Sequence, residues 1–130
     1  MGALLGIDNG LTVTKAVIFD TTGRQLAVAR KNVPQLKPAP HFVERDMDVL
    51  WTQTAAAIKE ALAISGLAPS DILAVSATAH GDGLYLLDAD KKPLGNGILS
   101  LDSRAQRQVS RWNDQGLGDR IRDVSGQNPH

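Results

Sequence analysis

Apolar and polar positions alternate in short runs over the first third of the chain, then switch to a helical period. Ala3-Leu4-Leu5 leads into Gly6-Ile7-Asp8, and residues 3–8 read as a buried strand. A second strand is predicted over 14–20, around Ala16, Val17, Ile18 and Phe19. A third spans 25–32, where Leu26, Val28 and Arg30 give the loose alternation of a strand with one wet face. Thr21-Thr22-Gly23-Arg24 joins the second and third as a hairpin. Pro34, Pro38 and Pro40 exclude regular pairing, so that stretch is a loop.

From Asp46 the pattern changes. Leu50, Thr54, Ala57, Ile58, Ala61 and Leu62 recur at helical spacing. Asp46 suits the N-cap, Asp48 suits the first turn, Gly66 ends the helix and Pro69 prevents its return. The apolar run 72–77 after this helix predicts a buried parallel strand. Further strands are expected over 84–87, turned by Asp88-Ala89-Asp90, and around Ile98-Leu99. A helix is expected over 103–112 with Val109 and Trp112 inward, and Trp51 on the first helix is likewise assigned to packing. After a short helical pattern, Ser125-Gly126-Gln127-Asn128-Pro129-His130 is turn-like, and no closing element follows. That ending reads as a chain cut between elements.

The 130 residues carry 14 basic and 14 acidic side chains and no cysteine. That length supports one small domain with a real core. Balanced charge gives no electrostatic case for nucleic acid or an anionic membrane as partner. Without cysteine there is no disulfide framework and no thiolate ligand or nucleophile. No apolar run approaches the ~20 residues of a membrane span, and the N-terminus lacks signal-peptide features. A soluble cytoplasmic protein is the default expectation.

The turn between the first two strands holds the densest chemistry. Asp8, Gly10, Thr12, Thr14 and Lys15 supply an acid, a glycine, two hydroxyls and a cation within eight residues. Such a tip suits metal-bound phosphate. Gly10 would let backbone N–H groups approach phosphate oxygens. Asp8 would bind Mg²⁺ directly or through water. Asn9-Gly10 is equally a strong turn dipeptide, and an ordinary hairpin explains it on composition alone.

The order β-β-β-α-β resembles the start of the ribonuclease H-like α/β fold of actin-like ATPases and sugar kinases. Four ordered segments resemble the N-terminal part of the FGGY carbohydrate kinases. They are Gly6-Ile7-Asp8-Asn9-Gly10 through Asp20, His41-Phe42-Val43-Glu44-Arg45-Asp46 through Trp51, Ala77-Thr78-Ala79-His80-Gly81-Asp82-Gly83, and Pro93 through Arg104. Tyr85-Leu86-Leu87-Asp88 and 93–100 look most like L-xylulose kinases. Two departures stand out. Leu11 replaces a usual threonine, and Leu101 lies near a usual aromatic-Asn pair.

The resemblance implies a polypeptide roughly four times this length, of which residues 1–130 form a partial N-terminal domain. It implies γ-phosphoryl transfer from ATP, with Mg²⁺, to a sugar hydroxyl, with a ketopentose such as L-xylulose expected. Asp8 would organise Mg²⁺, while Gly10, Thr12, Thr14 and Lys15 would hold the phosphates. His80, Gly81, Asp82 and Asp102 would contact the sugar. For His80 the alternative is a structural histidine; for Gly81-Asp82-Gly83, a simple turn. For Asp102 it is the N-cap of the helix at Ser103, with Arg104 as its ion-pair partner. Glu44 and Asp46 are assigned to loop ordering and capping. No residue here matches the family's catalytic base, an aspartate further along, so this segment alone is expected to be inactive. Homo-oligomers remain open. The alternatives are an actin-like ATPase that does not act on sugars, or a sugar-binding regulatory module of the same fold without catalysis.

Overall fold

The first three strands form a meander, and a helix carries the chain back to the opposite side of the first. The computed structural model describes residues 2–129. β1 (Ala3–Asn9), β2 (Val13–Asp20) and β3 (Gln25–Asn32) pair antiparallel in sequence order. α1 (Met47–Ser65) crosses over to β5 (Ile72–Ala79), which lies parallel to β1, so the sheet order is β3-β2-β1-β5. β4 (Glu44–Arg45) and β6 (Gly97–Ile98) form a separate antiparallel pair. α2 (Gln106–Asp114) and α3 (Leu117–Ser125) close the chain, separated by Gly116 at φ 68°.

Strand alternation builds the core. Ala3 and Leu5, Ala16 and Ile18, and Ala27 and Ala29 are buried every second residue on the face under α1. Ala57 and Ala61 of α1 meet them, and Ile58 and Leu62 seal the edges. Alanine on both sides lets the helix lie close to the sheet. Asp46 caps α1 as expected, accepting from the Asp48 and Val49 N–H groups at 2.9 Å. Gly66 ends the helix at φ 70°, a left-handed conformation that glycine adopts freely. Lys31 of β3 pairs with Glu60 and pins the helix's outer flank.

Several elements differ from expectation. β5 forms where predicted but is exposed, with Leu73 65% and Val75 60% accessible. It is the sheet's edge, and its apolar run reported a strand rather than what covers it. Trp51 is 76% exposed instead of packed. It borders an open cavity of about 520 Å³ with Met47, Leu50, Ile7 and Pro93. Residues 84–87 make only isolated bridges, Leu84 to Ile98 and Leu87 to Pro93, which stand in different registers and so do not join into one ladder. The helix predicted from Ser103 begins at Gln106, and the Ser103 N–H donates to the His41 carbonyl at 2.9 Å. Val109 and Trp112 are half-buried rather than core. In the C-terminal turn-like run, Gly126 caps α3 at φ 75°; His130 lies outside the described residues. β4 falls where the sequence assigns Glu44 only to loop ordering.

Candidate functional site

The polar residues at the end of β1 separate onto two faces. Asn9 follows Ala3, Leu5 and Ile7 on the side of α1. Its Oδ1 accepts from the Thr14 hydroxyl at 2.5 Å and from the Thr54 hydroxyl of α1 at 3.0 Å. Thr54 has one proton, which serves either Asn9 or the Leu50 carbonyl at 2.8 Å. Thr14 is 0% exposed, so its hydroxyl locks the hairpin onto α1 and does not reach the open tip. This burial favours a structural place for Thr14 over the direct phosphate contact that the resemblance implies.

Asp8 and Lys15 face each other across the ladder on the opposite side. Lys15 Nζ lies 2.9 Å from Asp8 Oδ2, and both side chains are about two-fifths exposed, at 39% and 43%. Surface pairs of this kind contribute little stability, so both groups remain available to a stronger charge. Lys15 is thus ion-paired with Asp8.

Between the strands, Gly10, Leu11 and Thr12 form the tip. The Gly10 N–H donates to the Val13 carbonyl at 3.0 Å, which removes it from the set of free donors. A Cβ on Gly10 would sit 3.0 Å from that same oxygen, so glycine here closes the turn. The Val33 N–H donates to the Thr12 carbonyl at 2.8 Å, tying the tip to the loop after β3, and the Thr12 side chain stays exposed. Beneath the tip lies Arg45 of β4, 2% exposed, donating from one terminal nitrogen to the Gly10 carbonyl at 2.7 Å and to the Leu11 carbonyl. Burial pushes its pKa down, but a guanidinium stays charged in proteins.

The parallel register of β1 and β5 brings the second loop to the same edge. Asn9 pairs with Ala79, and the His80 N–H donates to the Asn9 carbonyl at 2.9 Å. The imidazole is half-buried, with Nε2 2.8 Å from Ser100 Oγ. Gly81 and Asp82 are exposed, and Asp82 takes φ 55°, where aspartate is tolerated better than most residues. Asp82, Ser100, Asp102 and Arg104 border a cleft of about 390 Å³, a volume suited to a small polar ligand.

Asp102 does not cap α2, whose N-cap is Ala105. Its Oδ2 accepts from the Val43 N–H at 2.7 Å and from Arg104 at 2.7 Å, and Oδ1 accepts from Arg104 Nε at 2.8 Å and the Arg104 N–H at 3.0 Å. These bonds, the one from the Arg104 side chain foremost, hold its pKa at about 2. Arg104 also reaches Glu44 Oε1 at 2.6 Å and stacks 3.7 Å over the Phe42 ring. The bond from Asn96, and then that from Arg104, lowers the Glu44 pKa. Asp102 thus spends its lone pairs holding residues 96–104 against β4 and Val43.

Three further residues matter that the motifs did not single out: Asn9, Arg45 and Ser100. Asn9 had a signal, because it continues the β1 alternation toward α1. Arg45 and Ser100 act across long sequence separations and had none.

The residues fit a phosphate-bound Mg²⁺ rather than a protein-caged metal. Among the described residues no three acidic, histidine or cysteine side chains cluster as ligands. One half-exposed carboxylate, Asp8, lies beside a tip that has a buried cation under it. Mg²⁺ commonly takes one or two carboxylates plus substrate phosphates and water.

Residues 3–130 match the model of the FGGY family of carbohydrate kinases, N-terminal domain. The chain belongs to that family. It is 40% identical over 121 residues to a probable L-xylulose kinase of Pasteurella multocida, covering 93% of this chain and 25% of that protein. It is 38% identical over 127 residues to a glycerol kinase of Methylibium petroleiphilum, covering 97% of this chain and 26% of that one. The chain therefore spans about a quarter of the length of the curated relatives it matches. In fold, it resembles the ligand-bound xylulose kinase from Lactobacillus acidophilus with a TM-score of 0.81 at 24% identity, over 95% of this chain and 24% of that one. The FGGY segment thus adopts the actin-like ATPase architecture that its strand order implied.

Proposed function

We propose that the natural polypeptide carrying this FGGY segment is an ATP-dependent carbohydrate kinase, that a ketopentose such as L-xylulose is its acceptor, and that this segment supplies the phosphate hairpin and one wall of the sugar site. One observation carries the reading. The hairpin tip and the His80 loop leave the same sheet edge side by side, joined by the 2.9 Å bond from His80 N–H to the Asn9 carbonyl. Donor phosphate and acceptor hydroxyl must meet within a few ångströms for in-line transfer. Two adjacent loops from parallel β1 and β5 supply that proximity, at the strand ends where open α/β sheets gather ligands.

Thr12 offers its hydroxyl to the phosphates, and Lys15 supplies positive charge once Asp8 turns to a cation. Bound Mg²⁺ would neutralise phosphate charge, with Asp8 as its protein-side anchor. His80 and Asp82 offer hydrogen bonds to sugar hydroxyls, and the Ser100 hydroxyl fixes the His80 ring. The ketopentose assignment draws on the Pasteurella multocida relative; the glycerol kinase relative at similar identity supports the wider class of polyol acceptors. No helix among the described residues is long and apolar enough to cross a membrane. A cytoplasmic site of action accords with consumption of ATP.

The test is ADP release by that natural polypeptide with MgATP and a panel of ketopentoses, polyols and glycerol. Saturable activity on L-xylulose or a close pentulose supports the reading. Activity on glycerol alone keeps the kinase and overturns the acceptor. ATP turnover indifferent to every sugar favours an actin-like ATPase. Sugar binding without turnover favours a regulatory module.

A further inference from the structure

Arg45 is the largest fully buried side chain, and no carboxylate among the described residues pairs with it. Its Nε has no hydrogen-bond partner at all. A buried guanidinium without a counter-ion is costly, and such a group is retained for a reason other than stability. What it does touch is the hairpin tip: the carbonyls of Gly10 and Leu11, two consecutive peptides, both drawn to one guanidinium nitrogen.

The trans peptide plane makes this consequential. Its C=O and the following N–H point in opposite directions. With the Gly10 and Leu11 carbonyls turned toward Arg45, the N–H groups of Leu11 and Thr12 turn away from it. The Gly10 N–H is committed to Val13, so these two are the tip's remaining outward donors. Successive N–H groups aimed at one point make an anion-binding concavity.

We propose that Arg45 is a positioning residue that shapes the hairpin tip into a two-donor nest, formed by the Leu11 and Thr12 N–H groups, for the terminal phosphates of a nucleotide. The incoming phosphate also supplies the negative charge that Arg45 lacks. The inference rests on the proposed phosphate role of this hairpin and adds the donors and the residue that orients them. It also accounts for Leu11: a backbone donor needs no side-chain hydroxyl, so leucine is compatible with the site.

β4 gives the arrangement a second consequence. Arg45 pairs with Gly97 of β6, and its neighbour Glu44 holds Arg104. A two-residue strand thus ties the phosphate tip to the segment lining the sugar cleft.

The experiment uses the natural polypeptide with Arg45→Met and Arg45→Lys variants. Calorimetry measures ADP and AMP binding, and kinetics measure KM for ATP and for the sugar. Arg45→Met should weaken ADP binding about tenfold, equivalent to 1.4 kcal/mol, leave AMP binding nearly unchanged, and raise KM for ATP more than KM for sugar. Arg45→Lys keeps the charge but replaces the planar guanidinium, whose one terminal nitrogen reaches both carbonyls, with a compact ammonium on a different stem, and should fall between wild type and Arg45→Met. It also carries the test if Arg45→Met does not fold. Equal loss of ADP and AMP affinity would reduce Arg45 to a structural role and overturn the proposal. Unchanged ADP affinity in either folded variant would overturn it as well. A wild-type protein that does not distinguish ADP from AMP would instead overturn the phosphate reading of the hairpin itself.

Discussion

The two halves of the molecule are held together by different forces. Residues 3–66 pack a sheet and a helix through buried alanines, Leu5 and Ile18, in a repeating two-residue register. Residues 84–125 bury little beyond Gly97 and Leu99, and α2 and α3 contain no fully buried residue. Their attachment to the first half is polar, through Asp102, Arg104, Glu44 and Val43. The proposed phosphate side stands on the first half, while the proposed sugar side joins the His80 loop at the end of β5 to the cleft residues of the second.

The largest effect expected from breaking this contrast is in the first half. Ile18→Ala empties a fully buried site and should destabilise the protein by about 2–5 kcal/mol, read as a lowered urea midpoint with an unchanged slope. Arg104→Met should cost about 1.5–3 kcal/mol, the range for charged hydrogen bonds, and its damage should be local. Hydrogen exchange should quicken at residues 97–104 and stay slow in β1 and β2. Uniform acceleration would show that the two halves unfold as one unit.

The same contrast decides what could be read from the sequence. The meander, α1 with both its caps, and β5 follow from apolar period and from Asp46 and Gly66, because hydrophobic burial leaves a periodic trace. The polar tethers leave no such trace. Asp102 looked like a helix cap because the run Asp102-Ser103 precedes a helical pattern, yet its partner is Val43, 59 residues away. Arg45 stands within the second motif segment, where spacing alone assigns it no role. Thr14 suits phosphate by residue type, and its alternation with Ala16 and Ile18 puts it on the buried face. Trp51 shows the converse error, since helical spacing alone does not say that a residue has something to pack against.

A smaller effect sharpens the two roles assigned to the hairpin's hydroxyls. Thr14→Val removes one of the two hydroxyls at Asn9 Oδ1 and should lower stability by about 0.5–1.5 kcal/mol, with modest change in KM for ATP. Thr12→Val should do the reverse.

The smallest effect is in pH. The Asp102 pKa is depressed to about 2 in the folded chain, against an ordinary carboxylate near 3.9. A depressed carboxylate stabilises the fold above its unfolded value. That contribution is complete above about pH 4 and is lost as pH falls toward about 2. Asp102→Asn should therefore flatten the part of the acid limb of urea stability that lies between those values.

The most direct test of the central claim, that one sheet edge presents a phosphate loop and a sugar loop as separable sites, is a two-by-two measurement on the natural polypeptide. KM for ATP and KM for the sugar are compared in Thr12→Val and His80→Ala. The account predicts that Thr12→Val raises mainly the first and His80→Ala mainly the second, each by about tenfold for one lost hydrogen bond to a charged or closely held group. Both variants moving the same KM, or His80→Ala leaving the sugar KM untouched, would contradict it.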